Sequence, residues 1–131
     1  MVQDVEKRRA RRFEIPGGKV RYKKTGLLIL VKGFSKTYHV VNVSKGGLAL
    51  VCDEGLDRGE KVMVQLLAPN EKPLNLHARV RWRGSTDSGD MLLGVEFMPF
   101  TGRRGHNSLE ALDVLRRLDA QYGKEKEEEE D

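Results

Sequence analysis

Long apolar runs and paired cysteines are both missing from this sequence of 131 residues. No stretch approaches the roughly 18 consecutive apolar residues that a membrane-spanning helix needs, and residues 1–24 contain no apolar segment typical of a signal peptide. The single cysteine, Cys52, excludes an internal disulfide, and the apolar run around it predicts a buried, reduced thiol. We therefore expect a cytoplasmic protein without a membrane span, whose length suits one domain.

Patterns typical of enzyme active sites are also lacking. The histidines are not spaced to share one helical face, no cysteine pair offers a zinc site, and no glycine-rich phosphate loop is present. Aromatic residues make up 6% of the chain, which is few for a protein that stacks the bases of single-stranded nucleic acid. These absences predict a binding protein that is not an enzyme and needs no cofactor.

Charge is distributed unevenly along the chain. Residues 1–24 contain nine Lys or Arg against three acidic residues, whereas residues 123–131 contain two Lys against six acidic residues. The basic head indicates an anionic partner such as a nucleotide, a nucleic acid or a membrane surface, and the acidic tail is typical of a disordered, solubilising end. We expect an arginine-rich ligand-binding segment at 1–17, a β domain at 18–104, a helix at 105–122 and the tail at 123–131.

Short strands separated by turns are predicted for the middle of the chain. The clearest alternation, at residues 74–83, places Trp82 on the apolar face and Arg79, Arg81 and Arg83 along the opposite, solvent face. Strands of this length and spacing indicate a small barrel or a sandwich. The predicted strands are Lys19–Lys24, Leu27–Lys32, Thr37–Val43, Gly47–Cys52, Lys61–Leu67, Leu74–Arg83 and Met91–Phe97.

A helix is predicted after the last strand. Asn107 is a suitable N-cap, and Glu110, at the third helical position, would complete a capping box. Gly123 would end the helix in the left-handed conformation. The helix should bury an apolar stripe made of Leu109, Leu112, Leu115, Leu118 and Tyr122.

Two segments carry more specific information. The first, residues 7–13, has the sequence KRRARRF and places Arg8 and Arg12 four residues apart; the second is Asn42-Val43-Ser44-Lys45-Gly46-Gly47. In this order the two segments resemble the PilZ domain family, whose signature is an Arg-x-x-x-Arg segment before the first strand and then an [Asp/Asn]-x-[Ser/Ala]-x-x-Gly motif. Trp82-Arg83 and Leu93–Phe97 are also similar to the closing strands of that family, so the resemblance covers residues 7–122.

The resemblance implies a six-stranded antiparallel β-barrel with a C-terminal helix that binds the bacterial second messenger cyclic di-GMP. The residue types suit this ligand, because the planar fork of arginine matches both phosphate oxygens and the Hoogsteen edge of guanine. A glycine turn with positive φ would let a flat base approach the backbone, and Lys7 fits a ligand bound as a stacked pair. The implied ligand-binding residues are Arg8, Arg9, Arg12, Asn42, Ser44, Gly46, Gly47 and Trp82.

The expected output is a signal to an unidentified effector protein, passed on when the N-terminal arm, residues 1–12, becomes ordered around the ligand. Two other functions stay open. The second is a small basic barrel that binds nucleic acid, which the basic arm and the arginines of residues 79–83 allow and the scarcity of aromatics disfavours. The third is a PilZ-like module that contacts proteins without a ligand, which Asn42, in place of the commoner Asp, leaves open. The simpler interpretations are a solvated arm, a plain hairpin turn and a core tryptophan.

Overall fold

The computed structural model describes residues 11–25, 33–53 and 56–123. Its strands and helix lie close to the predicted positions, and the predicted strand Leu27–Lys32 lies outside the described residues. The described elements are β1 (Lys19–Lys24), β2 (Tyr38–Val43), β3 (Gly47–Cys52), β4 (Lys61–Leu67), β5 (Leu74–Ser85), β6 (Met91–Phe97), α1 (Leu109–Leu118) and a π-helical turn (Asp119–Gly123).

The six strands form one closed antiparallel barrel in the order β1-β2-β3-β6-β5-β4. The barrel closes where β1 pairs with β4, from Lys19 opposite Leu67 to Lys24 opposite Val62. Closure leaves no free sheet edge along this seam. The predicted fold, a six-stranded antiparallel barrel followed by a helix, is therefore confirmed.

The interior is filled by alternate residues of every strand, as the period of two in a β-strand requires. Val20, Val64, Leu76 and Leu93 each have less than 1% of their surface exposed. Phe13, which precedes β1, is 1% exposed and joins this core. Cys52 is also buried, as predicted from its apolar surroundings.

Two strands carry a β-bulge, and the bulges decide which side chains face outward. In β5, Val80 lies opposite Val95 while Trp82 lies opposite Gly94, so Arg81 is the extra residue. In β2 the register shifts in the same way between Val40 and Asn42. Because an extra residue moves the following side chain to the other face, the prediction that Trp82 faces the core is wrong.

The N-terminus of α1 differs from the prediction by one residue. Ser108 is the N-cap, and its hydroxyl accepts a hydrogen bond from the backbone N–H of Ala111. Asn107 instead lies 2% exposed between β5 and the preceding loop. Its side chain accepts from the N–H of His77 at 2.7 Å and donates to the carbonyls of His77 at 3.0 Å and Met98 at 2.9 Å. Glu110 is thus one position too early to complete a capping box.

The helix packs on the barrel through a narrower stripe than predicted. Ala111, Leu115 and Leu118 are buried, whereas Leu109, in the first turn, is 63% exposed. Gly123 ends the π-helical turn without a positive φ, so the predicted left-handed stop is wrong. A Cβ at Gly123 would lie 2.3 Å from an oxygen of Asp119, which explains why a glycine fits there. Among the described residues, no helix is long and apolar enough to cross a membrane.

Candidate ligand-binding cleft

The turn between β2 and β3 is held in shape by Ser44. Its hydroxyl oxygen accepts hydrogen bonds from the backbone N–H groups of Gly46, at 3.1 Å, and Gly47, at 3.2 Å. The backbone N–H of Ser44 in turn donates to the carbonyl of Gly47 at 2.8 Å. Ser44 is 7% exposed, and its hydroxyl oxygen is occupied by the hydrogen bonds of the turn. These local bonds fix the turn before any ligand arrives, as side chains of this kind commonly do.

Close approach, and not positive φ, explains the glycine at position 47. Neither Gly46 nor Gly47 has a positive φ, so that prediction is wrong. A Cβ at Gly47 would lie 2.1 Å from the carbonyl oxygen of Val95 on β6, and no side chain fits in that space. A Cβ at Gly46 would meet only the Ser44 hydroxyl, at 3.8 Å. The backbone of Gly47 therefore lies tightly against the neighbouring strand, while Gly46 has open space.

The arginine segment joins the barrel beside this turn. Phe13 and Val43 exchange two backbone hydrogen bonds, each 2.8 Å long, and both side chains are buried. This bridge places Arg12 next to the turn, where its guanidinium donates to the side-chain oxygen of Asn42 at 3.2 Å. The preceding Arg11 forms an ion pair with Asp119, at 3.3 Å, in the π-helical turn. The barrel thus holds the base of the arm from two sides.

A row of four outward-facing residues crosses the barrel next to Arg12. The strand registers align Asn42 with Ala49, Ala49 with Gly94, and Gly94 with Trp82. The indole of Trp82 lies across Gly94, since a Cβ there would be 2.1 Å from Cε2 of the ring. A glycine inside a strand commonly marks such a close approach. The two bulges therefore bring an asparagine and a tryptophan to the same outer surface.

These features surround one open cleft of about 440 Å³. Arg12, the Ser44–Gly47 turn and Trp82 line it, and Asn42 holds Arg12 at its edge. The cleft is also lined by Arg81, the bulge residue, and by Glu96, which lies 3.7 Å from Arg81. The described lining residues are Arg12, Ser44, Gly46, Gly47, Leu48, Arg81, Trp82, Val95 and Glu96.

The structure therefore brings six of the predicted site residues together and leaves two undescribed. Arg8 and Arg9 lie outside the described residues, as does Lys7. Sequence reasoning missed Glu96 and the role of Arg81, because the bulge breaks the simple alternation that ordered β5. Gly94, directly before Val95 in a strand, was the available signal for a close approach of another side chain. The predicted site residues found around the cleft are Arg12, Asn42, Ser44, Gly46, Gly47 and Trp82.

The basic stripe predicted along β5 is split by the bulge. Arg79 pairs with Glu96, on the outer face, whereas Arg83 pairs with Leu93, whose side chain points into the barrel. Arg83 and Arg79 therefore leave opposite faces of β5. These three arginines therefore do not form a continuous basic path for a nucleic-acid backbone along this strand.

A shifted pKa is found at the end of β3 that lies away from the cleft. Asp53, just after β3, accepts hydrogen bonds from Lys36 and Tyr38, and these bonds hold its pKa below the ordinary value of 3.8. The side chain is 57% exposed, so the effect on stability is small. Within the described ranges no group of His, Cys, Asp or Glu residues is arranged to hold a metal ion.

Comparison with known proteins places this geometry in a family. The family model of the PilZ domain matches residues 6–112. The chain belongs to the PilZ domain family. No curated protein sequence matches this PilZ chain.

Solved structures share the fold of this PilZ domain at low sequence identity. The YcgR protein of Escherichia coli, solved in complex with c-di-GMP, superposes with a TM-score of 0.65 at 13% identity over 92% of this chain. The Bacillus subtilis inhibitor of motility (MotI/DgrA) gives a TM-score of 0.52 at 18% identity over 79% of this chain. The matches cover 46% and 47% of those two proteins, so this chain spans about half of their length.

Proposed function

We propose that this PilZ domain is a receptor for cyclic di-GMP and has no catalytic role. One observation carries the proposal: Arg12, the Ser44–Gly47 turn and Trp82, which are distant in sequence, line the same cleft. The YcgR relative of the same fold was solved with this dinucleotide, which supports the choice of ligand. In the proposed complex the ligand occupies the outer surface of the barrel and not its packed interior.

The chemistry of the cleft suits a compact dianion with two purine rings. Arg12 offers a planar set of N–H donors that pairs with two phosphate oxygens or with guanine O6 and N7. Trp82, held flat across Gly94, offers a ring face on which a base can stack, an interaction of about 1–3 kcal/mol per base. The exposed backbone at Gly46 lets a base approach without a side chain in the way.

Titration calorimetry with cyclic di-GMP at physiological salt tests the proposal. Replacing Arg12 with Ala should weaken binding about tenfold or more, because charge-assisted hydrogen bonds of roughly 1.5–3 kcal/mol are lost. Arg12→Lys should weaken binding nearly as much, since lysine keeps the charge but not the planar fork. Arg104→Ala, an exposed arginine in the loop before α1, is the matched control and should leave affinity unchanged.

The same titrations separate the competing functions. An RNA oligomer that binds as well as cyclic di-GMP, together with near-parent affinity in Arg12→Lys, would favour a nonspecific polyanion site. Absence of binding by every nucleotide would favour a PilZ domain that acts through protein contacts alone. Arg8 and Arg9 are included in the proposed site from the sequence, and Arg8→Ala should show the same loss as Arg12→Ala.

The proposed signal to an effector protein depends on the arm before Arg11. Phe13 is anchored in the core, and Arg11 and Arg12 contact Asp119 and Asn42, so the ordering step is assigned to residues 1–10. Amide exchange of residues 2–10 should slow on addition of cyclic di-GMP, while Val80 and Val95 stay protected throughout. If exchange of the arm is equally slow with and without ligand, signalling by ordering is wrong even if the ligand binds.

A further inference from the structure

Glu96 is the acidic residue among the described side chains that line the cleft, where the proposed ligand is an anion. It lies on the outer face of β6, directly opposite Gly47, which has no side chain to cover it. Its own side chain is 55% exposed. A carboxylate repels phosphate but accepts hydrogen bonds, so Glu96, which lines the same cleft as Arg12 and Arg81, favours a ligand group that donates hydrogen bonds.

The side-chain oxygens of Asn42 and Ser44 near the cleft already accept hydrogen bonds from the protein. The side-chain oxygen of Asn42 accepts from Arg12, and the Ser44 hydroxyl accepts from two backbone N–H groups of its own turn. Within the described part of the chain, Glu96 has one ion pair, with Arg81 at 3.7 Å, and both side chains are more than half exposed. A pair of that length and exposure is weak. A carboxylate offers about four acceptor positions, so Glu96 retains the capacity to accept from a ligand.

Glu96 also lies at a suitable distance from the ring of Trp82. Gly94, under the indole, and Glu96 are two residues apart on β6 and point to the same face. Two residues of a strand span about 6.6–6.8 Å. A purine stacked on Trp82 can therefore direct its edge toward the carboxylate of Glu96.

We infer that Glu96 determines the base specificity of this site by accepting hydrogen bonds from the Watson–Crick edge of guanine, and this inference rests on the proposed function. Guanine presents two donors on that edge, N1–H and the N2 amino group, which match the two oxygens of a carboxylate. Adenine presents an acceptor at N1, which the carboxylate repels. Arg12, paired with phosphate oxygens, and Trp82 provide affinity for any cyclic dinucleotide, and Glu96 selects the guanine form.

Binding of three cyclic dinucleotides tests the inference. Cyclic di-GMP, cyclic di-IMP, which lacks the N2 amino group, and cyclic di-AMP are titrated into the full chain and into Glu96→Gln. The parent should bind them in that order of decreasing affinity, and Glu96→Gln should reduce the preference for cyclic di-GMP over cyclic di-AMP by about tenfold to a hundredfold. The thermal midpoint should not change, since Glu96 is exposed.

Two control variants distinguish direct recognition of the base by Glu96 from a role in which Glu96 only positions Arg81. Arg81→Ala removes the ion-pair partner of Glu96 and should keep the preference for cyclic di-GMP over cyclic di-AMP. Glu110→Gln removes an exposed carboxylate on α1 and should leave the affinities for all three ligands unchanged. If Glu96→Gln weakens all three ligands equally, Glu96 only positions Arg81 and the inference is overturned while the receptor function stands. If the parent binds none of the three ligands, both proposals are overturned.

Discussion

The two walls of the cleft are built by different means. The turn wall, Ser44–Gly47, is shaped by hydrogen bonds within four consecutive residues. The ring wall, Trp82 on Gly94, depends on a bulge and on a missing Cβ in a strand that is adjacent in space but not in sequence. A local motif can be recognised from a short stretch of sequence, whereas a wall made by register needs the fold. This difference explains why the turn wall has the more specific sequence signature.

The two walls also differ in how the neighbouring atoms would respond to an added Cβ. At both Gly47 and Gly94 an added Cβ would lie 2.1 Å from another atom. At Gly47 that atom is a backbone carbonyl of β6, which cannot move without the strand. At Gly94 it belongs to a half-buried tryptophan ring, which can move into solvent. An added methyl group should therefore lower stability at Gly47 and displace the indole ring at Gly94.

The largest effect is expected for Gly47→Ala. The new methyl group would force β3 away from Val95, and overpacking against backbone should lower the free energy of unfolding by about 3 kcal/mol. Urea denaturation measures this change. Gly46→Ala is the matched control, because a Cβ there has space and no positive φ opposes it, and its effect should stay within about 0.5 kcal/mol. Equal losses in the two variants would contradict the assigned contact.

A smaller loss of stability, about 1 kcal/mol, is expected for Gly94→Ala, because the ring of Trp82 can yield. Trp82 is the one tryptophan of the sequence, so its fluorescence reports the ring alone. The emission should shift to longer wavelength as the ring enters water, and the affinity for cyclic di-GMP should fall with it. A variant with unchanged emission would show that the indole does not rest on Gly94.

The smallest effect is expected at a position remote from both walls. Hydrogen bonds from Lys36 and Tyr38 lower the pKa of Asp53, so the ionised side chain stabilises the fold above the ordinary value of 3.8, and this contribution is lost as the pH falls through the lowered pKa. Asp53→Asn should be slightly less stable than the parent at pH 7, and the two should converge well below pH 3.8. Thermal melting across this range measures the difference. Ligand binding at pH 7 should not change, and a loss would mean that the ends of β2 and β3 are coupled.

The barrel could be predicted from the sequence because its signals are local and repeated. Alternating apolar residues, and turns such as Ser44–Gly47, placed the described strands within a few residues of their observed bounds. The same rule failed at Trp82, since alternation assumes an unbroken register and nothing in residues 79–83 announces the extra residue. Glu96 was overlooked for a related reason, because its position in the cleft depends on the strands that pair with β6.

The end of the barrel shows a second limit of sequence reasoning. Asn107 and Ser108 are both good N-caps, so propensity could not decide between them. Tertiary contacts decided the outcome, because the amide of Asn107 satisfies three partly buried backbone groups of His77 and Met98. Asn107 has the donors and the acceptor for that role, whereas serine has a single hydroxyl. A helix N-cap can be predicted from neighbouring residues, but a side chain that bridges two distant segments cannot.

The bulge at Arg81 lets β5 carry one residue more than β6 without losing the pairing on either side of it. Deleting Arg81 would leave Val80 opposite Val95 and Trp82 opposite Gly94, so the ring would keep its outward face. Regular pairing that retained Arg81 would instead place Trp82 opposite Leu93 and turn the ring toward the barrel interior. In sequence comparisons of such domains, a gap placed at Arg83 and not at Arg81 would therefore align the ring that lines the cleft with a residue that faces the interior.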